Sequence, residues 1–177
     1  MTLAEQLIHY AHYHRDPRNI ATHLVGIPMI VLAVSVLLSQ PVKDLAGVPL
    51  TPAWVLSAVV CSVYYFPMGW RVGLGMAVVL GASNLLGDAL AHSAQGRWVW
   101  GVGLFVVGWL FQFAGHKWEG RKPAFVDDLR GLLQGPLFVL CELAFKLGQL
   151  KGLEREIEQA CGPVRRDPHA SPATPAH

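Results

Sequence analysis

Four stretches of this chain run for nearly the thickness of a bilayer with almost no charge: Ile20 to Ser39, Pro52 to Phe66, Val72 to Ala91 and Trp98 to Ala114. A single segment in lipid can satisfy all its backbone N–H and C=O groups only as an α-helix, and a full crossing takes about 20 residues. The composition agrees, since 53% hydrophobic and 15% charged residues with a mean hydropathy of +0.37 lie well outside soluble averages. At 177 residues there is room for one domain and a handful of spans, not for a membrane part plus a separate soluble enzyme. The expected fold is all-α: a polytopic membrane helix bundle with about four spanning helices, a short N-terminal helix and a C-terminal interfacial helix. A single domain over residues 1–161 and a disordered tail over 162–177, rich in Pro, Ser, Thr and Ala, complete the expectation.

Punctuation supports these divisions. Gln40-Pro41 and Gly47-Val48-Pro49, then Phe66-Pro67-Met68-Gly69, then Ser93 to Arg97 interrupt the apolar runs. Lys and Arg set orientation: Arg15 and Arg18 precede the first span and Lys117, Arg121, Lys122 and Arg130 follow the fourth, so both termini are expected in the cytoplasm. Past the fourth span, Pro123 stops the helix and Gly135-Pro136 begins another. Glu142, Lys146 and Gln149 recur there at helical spacing, giving an amphipathic helix on the membrane surface, or else a re-entrant or fifth spanning segment.

With an even number of spans, two polar islands reach the same face: His12 to Asn19 with His23, and Gln112 to Glu119. His14 and His23 are nine residues apart and would point to opposite sides of one unbroken helix. Asp16-Pro17 supplies a break, because the residue before proline avoids helical dihedrals, Asp is a favoured N-cap and Pro suits the first helical position. After that break Asn19 and His23 share a face at i,i+4, and His14 can approach from the preceding segment. Gln112, His116 and Glu119 form a stripe at i, i+4, i+7 on the fourth span. Neutral imidazole ligates Fe, Zn, Cu or Ni, and His/carboxylate sets with open positions suit non-haem Fe(II). His14, His23 and His116 are the candidate metal ligands and catalytic centre, with Asn19, Gln112 and Glu119 beside them. Glu119 is either a ligand or an acceptor that orients a ligating ring. His9 and His12 are either further ligands or residues of an exposed first helix, which would carry them equally well.

Asn84, Asp88 and His92 stack at four-residue spacing on the third span, which makes an interhelical hydrogen-bonding stripe their first reading and a part in the metal site their second. Gly69, Gly73, Gly81 and Gly87 read as close helix packing. Cys61, Cys141 and Cys161 are odd in number and widely spaced, supporting neither a disulfide framework nor a CxxC site. The net charge of +2, with no basic run, sets nucleic acid aside.

Tyr13-His14-Arg15-Asp16-Pro17-Arg18-Asn19 followed by Thr22-His23-Leu24-Val25-Gly26-Ile27-Pro28 resembles the fungal 2-hydroxy fatty acid dioxygenase family and its bacterial relatives. Gln112-Phe113-Ala114-Gly115-His116 with Glu119-Gly120-Arg121 and Pro123-Ala124 is similar to that family's second signature. The likeness reaches to about Leu147, although the stripe Asn84, Asp88, His92 has no match in it. It implies an Fe(II)-dependent membrane dioxygenase that converts a long-chain 2-hydroxy fatty acid and O2 to the acid one carbon shorter and CO2, in fatty acid alpha-oxidation. It also implies His14, His23 and His116 as iron ligands, with the acyl tail left in membrane lipid. The expected membrane is the bacterial inner membrane, or the endoplasmic reticulum in a eukaryote. Arg15, Arg18 and Arg121 either pair with the substrate carboxylate or contact lipid phosphate and set topology. The alternative is a non-catalytic membrane protein whose islands bind lipid headgroups or a partner. A zinc-dependent intramembrane hydrolase is disfavoured, since this sequence has no HExxH helix and no nucleophile motif.

Overall fold

In the computed structural model, residues 2–40, 43–45, 48–126 and 128–165 are described. Seven helices carry the chain: α1 Leu3–Ala11, α2 Pro17–Leu37, α3 Pro52–Val60, α4 Trp70–Ala91, α5 Gly96–Glu119, α6 Gly131–Lys146 and α7 Lys151–Cys161. The sole departure among the described residues is a short antiparallel pair, β1 Lys43–Leu45 with β2 Val48–Leu50, between α2 and α3. The breaks expected at Pro41 and Gly47 lie outside the described residues.

Three helices, α2, α4 and α5, are long and apolar enough to cross a membrane, and their starts and ends lie within a few residues of the sequence expectation. The expected second span corresponds to the apolar helix Pro52–Met68, which is shorter than those three. Its regular part ends at Val60, continues through a π-helical turn, Cys61–Tyr65, and closes in a 3₁₀ turn, Phe66–Met68. Pro67 explains the ending, because a proline cannot donate to the carbonyl four residues back and its ring crowds it. Gly69 then takes φ 134°, a conformation that a side chain rarely allows, to launch α4.

Helix α6 begins at Gly131, a turn before the expected Gly135-Pro136 start, and keeps Pro136 inside it. Asp128 supplies the earlier start: its Oδ1 accepts from Arg130 N–H at 2.9 Å and its carbonyl from Gly131 N–H at 2.8 Å. Helices α6 and α7 meet at 115° and together have the length and composition of a broken span or re-entrant pair. The sequence reading missed α7, although Leu153, Ile157 and Cys161 recur every four residues. Ile157 is buried and the Cys161 thiol reaches the Ile8 carbonyl at 3.4 Å, seating α7 on α1.

The contacts divide the chain into two compact units, Met1–Ile27 with Leu110–His177, and Pro28–Trp109. The first unit buries Leu7, Tyr10, Ile20, Leu137, Phe138 and Phe145. Gln134 donates through Nε2 to Gln6 Oε1, tying α6 to α1. The second buries Ala33, Val36, Ala53, Tyr65 and Met76, while Val78, Leu85, Leu86, Val102 and Val106 stay exposed, as helices bathed in hydrocarbon would. Asn84 bonds across helices here, accepting from Ser35 Oγ at 2.9 Å and donating to Ser57 Oγ at 2.9 Å. Asp88 and His92 are exposed and lie 3.5 Å from one another, so of the three-residue stripe only Asn84 joins helices. Gly87 lets α2 approach α4, since a Cβ there would sit 3.0 Å from the Ser35 backbone.

Candidate metal centre

All six candidate site residues fall in the first unit. Helix α1 starts at a capping box, with Thr2 and Glu5 each accepting from the other's backbone N–H, and ends before His14. Asp16 then caps α2 as the sequence suggests, its Oδ1 accepting from Arg18 N–H at 2.8 Å with Pro17 in the first turn. This turn folds His14 back over the face of α2 that carries His23. Close approach of α2 and α5 brings His116 to the same point, and Gly115 permits it, being seated against Thr22 and Asn19.

The three imidazoles converge. One ring nitrogen from each of His14, His23 and His116 lies within 4.8 Å of the others, and all three residues are buried. Ring centroids are 4.4 Å apart for His14 and His23, 5.0 Å for His14 and His116, and 4.9 Å for His23 and His116. His14 Nδ1 donates to the Tyr10 carbonyl at 2.7 Å, and His23 Nδ1 donates to the Asn19 carbonyl at 2.9 Å. Each of those bonds leaves an Nε2 lone pair free, and the two Nε2 atoms face each other across 3.0 Å. His116 Nδ1 is buried with no hydrogen-bond partner. Tyr10 stacks on the His14 ring at 4.1 Å and fixes its plane.

Facing lone pairs repel unless a cation or a proton lies between them. Burial, reinforced by His23, holds the His14 imidazole well below its usual pKa, so a proton is disfavoured. A metal ion would relieve the repulsion instead, since it would accept both lone pairs at once. The donor set, three neutral imidazoles with no thiolate, matches the borderline first-row divalent metals.

Glu119 is 1% exposed, and its oxygens are engaged by the protein. Oε2 accepts from Arg15 N–H at 3.1 Å, Asp16 N–H at 2.8 Å and Asn19 Nδ2 at 3.0 Å, while Oε1 accepts from the Arg165 guanidinium at 2.9 Å. The carboxylate therefore clamps the turn that carries His14 rather than lying among the ring nitrogens. Asn19 works the same way, donating also to the Tyr13 carbonyl at 3.1 Å and lending its own carbonyl to His23. Gln112, one turn before His116 on α5, is buried with its Nε2 unpartnered.

The three arginines considered for substrate are already occupied. Arg15 donates to the Ala11, His14 and Gly162 carbonyls, Arg18 pairs with Asp16 at 2.8 Å, and Arg121 donates to the His12 carbonyl at 2.8 Å. His12 is exposed, in keeping with a surface role, and His9 has a buried Nδ1 without a partner. Sequence reasoning missed Arg165, which it assigned to a tail. Residues 162–165 are tied instead to Arg15, with Arg165 N–H on the Arg15 carbonyl at 2.9 Å. His169 and His177, expected in that tail, lie outside the described residues.

Comparison with known proteins meets this geometry. A family model described as 2-hydroxy-palmitic acid dioxygenase Mpo1-like matches residues 1–147, which include every histidine of the cluster. The 2-hydroxy-palmitic acid dioxygenase MPO1 of Saccharomyces cerevisiae is 35% identical over 160 residues, covering 89% of this chain and 88% of the yeast protein. No solved structure matches the chain. With both polar islands inside the matched region and the resemblance read from them sustained, the chain belongs to the Mpo1-like family.

Proposed function

We propose that this chain is an Fe(II)-dependent membrane dioxygenase converting a long-chain 2-hydroxy fatty acid and O2 to the acid one carbon shorter, CO2 and water. The observation that carries the reading is the buried meeting of His14, His23 and His116, with two Nε2 lone pairs 3.0 Å apart. Kinship to a protein named for 2-hydroxy-palmitic acid supplies the substrate class. The overall change balances without a further reductant: R–CHOH–COOH and O2 give R–COOH, CO2 and H2O, the substrate losing the four electrons that O2 gains.

His14, His23 and His116 would hold the ion. When bound, iron supplies the redox chemistry that lets O2 react with the hydroxy acid. The protein's groups bind and orient. The Tyr10 and Asn19 carbonyls fix the His14 and His23 tautomers, and Glu119 with Asn19 holds the turn that carries His14. Gln112 presents an unpartnered N–H donor one turn along α5 from His116, suited to an oxygen of the substrate head group. A donor left unmet in a buried site costs about 1–3 kcal/mol, which a carboxylate or hydroxyl oxygen removes.

The reading extends to a single helical domain over residues 1–161, embedded in the bacterial inner membrane or the endoplasmic reticulum, with both termini cytoplasmic. The Lys and Arg bias supports the orientation. At 1.5 Å per residue, Pro52–Met68 would be about 26 Å long, enough to cross with local thinning of the bilayer. The experiment is turnover: purified protein with Fe(II), O2 and 2-hydroxypalmitate is expected to consume O2 and release the acid one carbon shorter with CO2 in equal amounts. Tight binding of 2-hydroxypalmitate or of lipid headgroups with no product would favour the non-catalytic alternative.

A further inference from the structure

The family match ends at residue 147, yet the cluster's buried carboxylate takes its ionic partner from beyond it. After α7 the chain returns to the turn that follows His14. There Arg165 N–H donates to the Arg15 carbonyl at 2.9 Å, and Arg15 Nη1 donates back to the Gly162 carbonyl at 3.0 Å. The Arg165 guanidinium sits 2.9 Å from Glu119 Oε1 and 3.9 Å from Asp16 Oδ2. Asp16 also has Arg18, whereas the donors on Glu119 Oε2 are neutral: two backbone N–H groups and the Asn19 amide.

Glu119 touches each histidine-bearing segment. It lies three residues after His116 on α5, it holds the two N–H groups that follow His14, and it holds the side chain of Asn19, whose carbonyl fixes His23. A carboxylate buried to this extent keeps its place only when a cation meets it, and losing the cation leaves an uncompensated buried charge. We infer that Arg165 is a positioning residue for the metal centre: by pairing with Glu119 it keeps the three histidine-bearing segments in register, so that residues 151–165 are a working part of the site. The inference rests on the metal-binding reading above. It adds that a segment outside the matched family domain sets the affinity of the histidine cluster.

The test titrates Co(II), as a spectroscopic stand-in for Fe(II), into the full-length chain in detergent under anaerobic conditions. The proteins compared are wild type, Arg165→Gln, Arg165→Lys, Glu119→Gln and the Arg165→Gln/Glu119→Gln double variant, each with its thermal unfolding recorded. Arg165→Gln is expected to weaken Co(II) binding by about 10–100-fold, the usual effect of loosening groups behind metal ligands. Arg165→Lys, which keeps the charge, should recover most of that loss. In the Glu119→Gln background, Arg165→Gln should change affinity by no more than about twofold, because the charge it neutralises is gone. Unchanged Co(II) binding in Arg165→Gln overturns the inference. So does an equal loss in both backgrounds, or an equal loss in the Lys variant, which would mark Arg165 as simple packing. A wild-type chain that takes up no Co(II) or Fe(II) overturns the metal reading itself, an outcome read before any variant is compared.

Discussion

Gly115 is where one methyl group should unseat the three-histidine cluster. A Cβ built there would overlap Thr22 Oγ1 and Asn19 Oδ1 and sit 3.2 Å from the Asn19 Cα, against ordinary carbon contacts of about 3.5–4.0 Å. Side-chain rotation offers little relief. Asn19 Nδ2 is committed to the Tyr13 carbonyl and Glu119, and Thr22 Oγ1 to the Asn19 carbonyl at 2.8 Å. Gly115→Ala must therefore part α2 from α5 by about 1 Å or break those bonds, and overpacking of this kind costs about 1–3 kcal/mol. His23 rides on α2 and His116 on α5, so the same displacement pulls their rings apart. A shift of this size at a reacting centre lowers rates by about a hundredfold. The assay is iron content together with thermal unfolding of the purified chain. Gly103→Ala on the same helix is the control, since a Cβ there meets nothing within 4 Å. The control should match or slightly exceed wild-type stability, as a better helix former. Wild-type iron content and unfolding temperature in Gly115→Ala would refute the reasoning.

Two further outcomes follow from groups on either side of that contact. Asn84→Leu removes a hydrogen bond to each of Ser35 and Ser57, and should lower stability by about 0.6–1.7 kcal/mol in a denaturation assay while iron content is unchanged; a loss of iron would contradict the separate roles assigned here. His14 is neutral when folded because burial depresses its pKa, whereas the unfolded chain takes up a proton near 6.5. Stability of chelator-treated protein is therefore complete above pH 6.5. Below it, His14 removes up to about 1.4 kcal/mol per pH unit until its lowered folded pKa is reached, and a flat denaturation profile between pH 7.5 and 5.5 would contradict the burial of a neutral ring.

What the sequence made legible was local. The Asp16-Pro17 break could be read because a proline's missing donor and an N-cap carboxylate act within a few residues. Once that break is granted, the faces of His14, His23 and His116 follow from helical spacing. Glu119 could be placed near the site but not given a task, because its donors lie on a turn a hundred residues away in sequence, and only packing of α5 against α2 brings them together. Arg165 was hidden for a related reason: it sits in a stretch rich in proline and small residues whose composition speaks for a solvated tail, and a single long-range ion pair leaves no periodic mark. The end of the Pro52–Met68 helix was legible at Pro67, but the π-helical turn inside it was not, since the hydrophobic pattern there carries no break.

The account's central claim is that three imidazoles, brought together by one turn and one close helix contact, hold a metal ion. Iron bound per chain after anaerobic Fe(II) loading and desalting tests it most directly, in wild type and in His14→Ala, His23→Ala and His116→Ala, with circular dichroism confirming that each remains helical. The account predicts stoichiometric iron in wild type and little in any of the three variants. Wild-type iron levels in all three folded variants, or a wild-type chain that binds none, would contradict it.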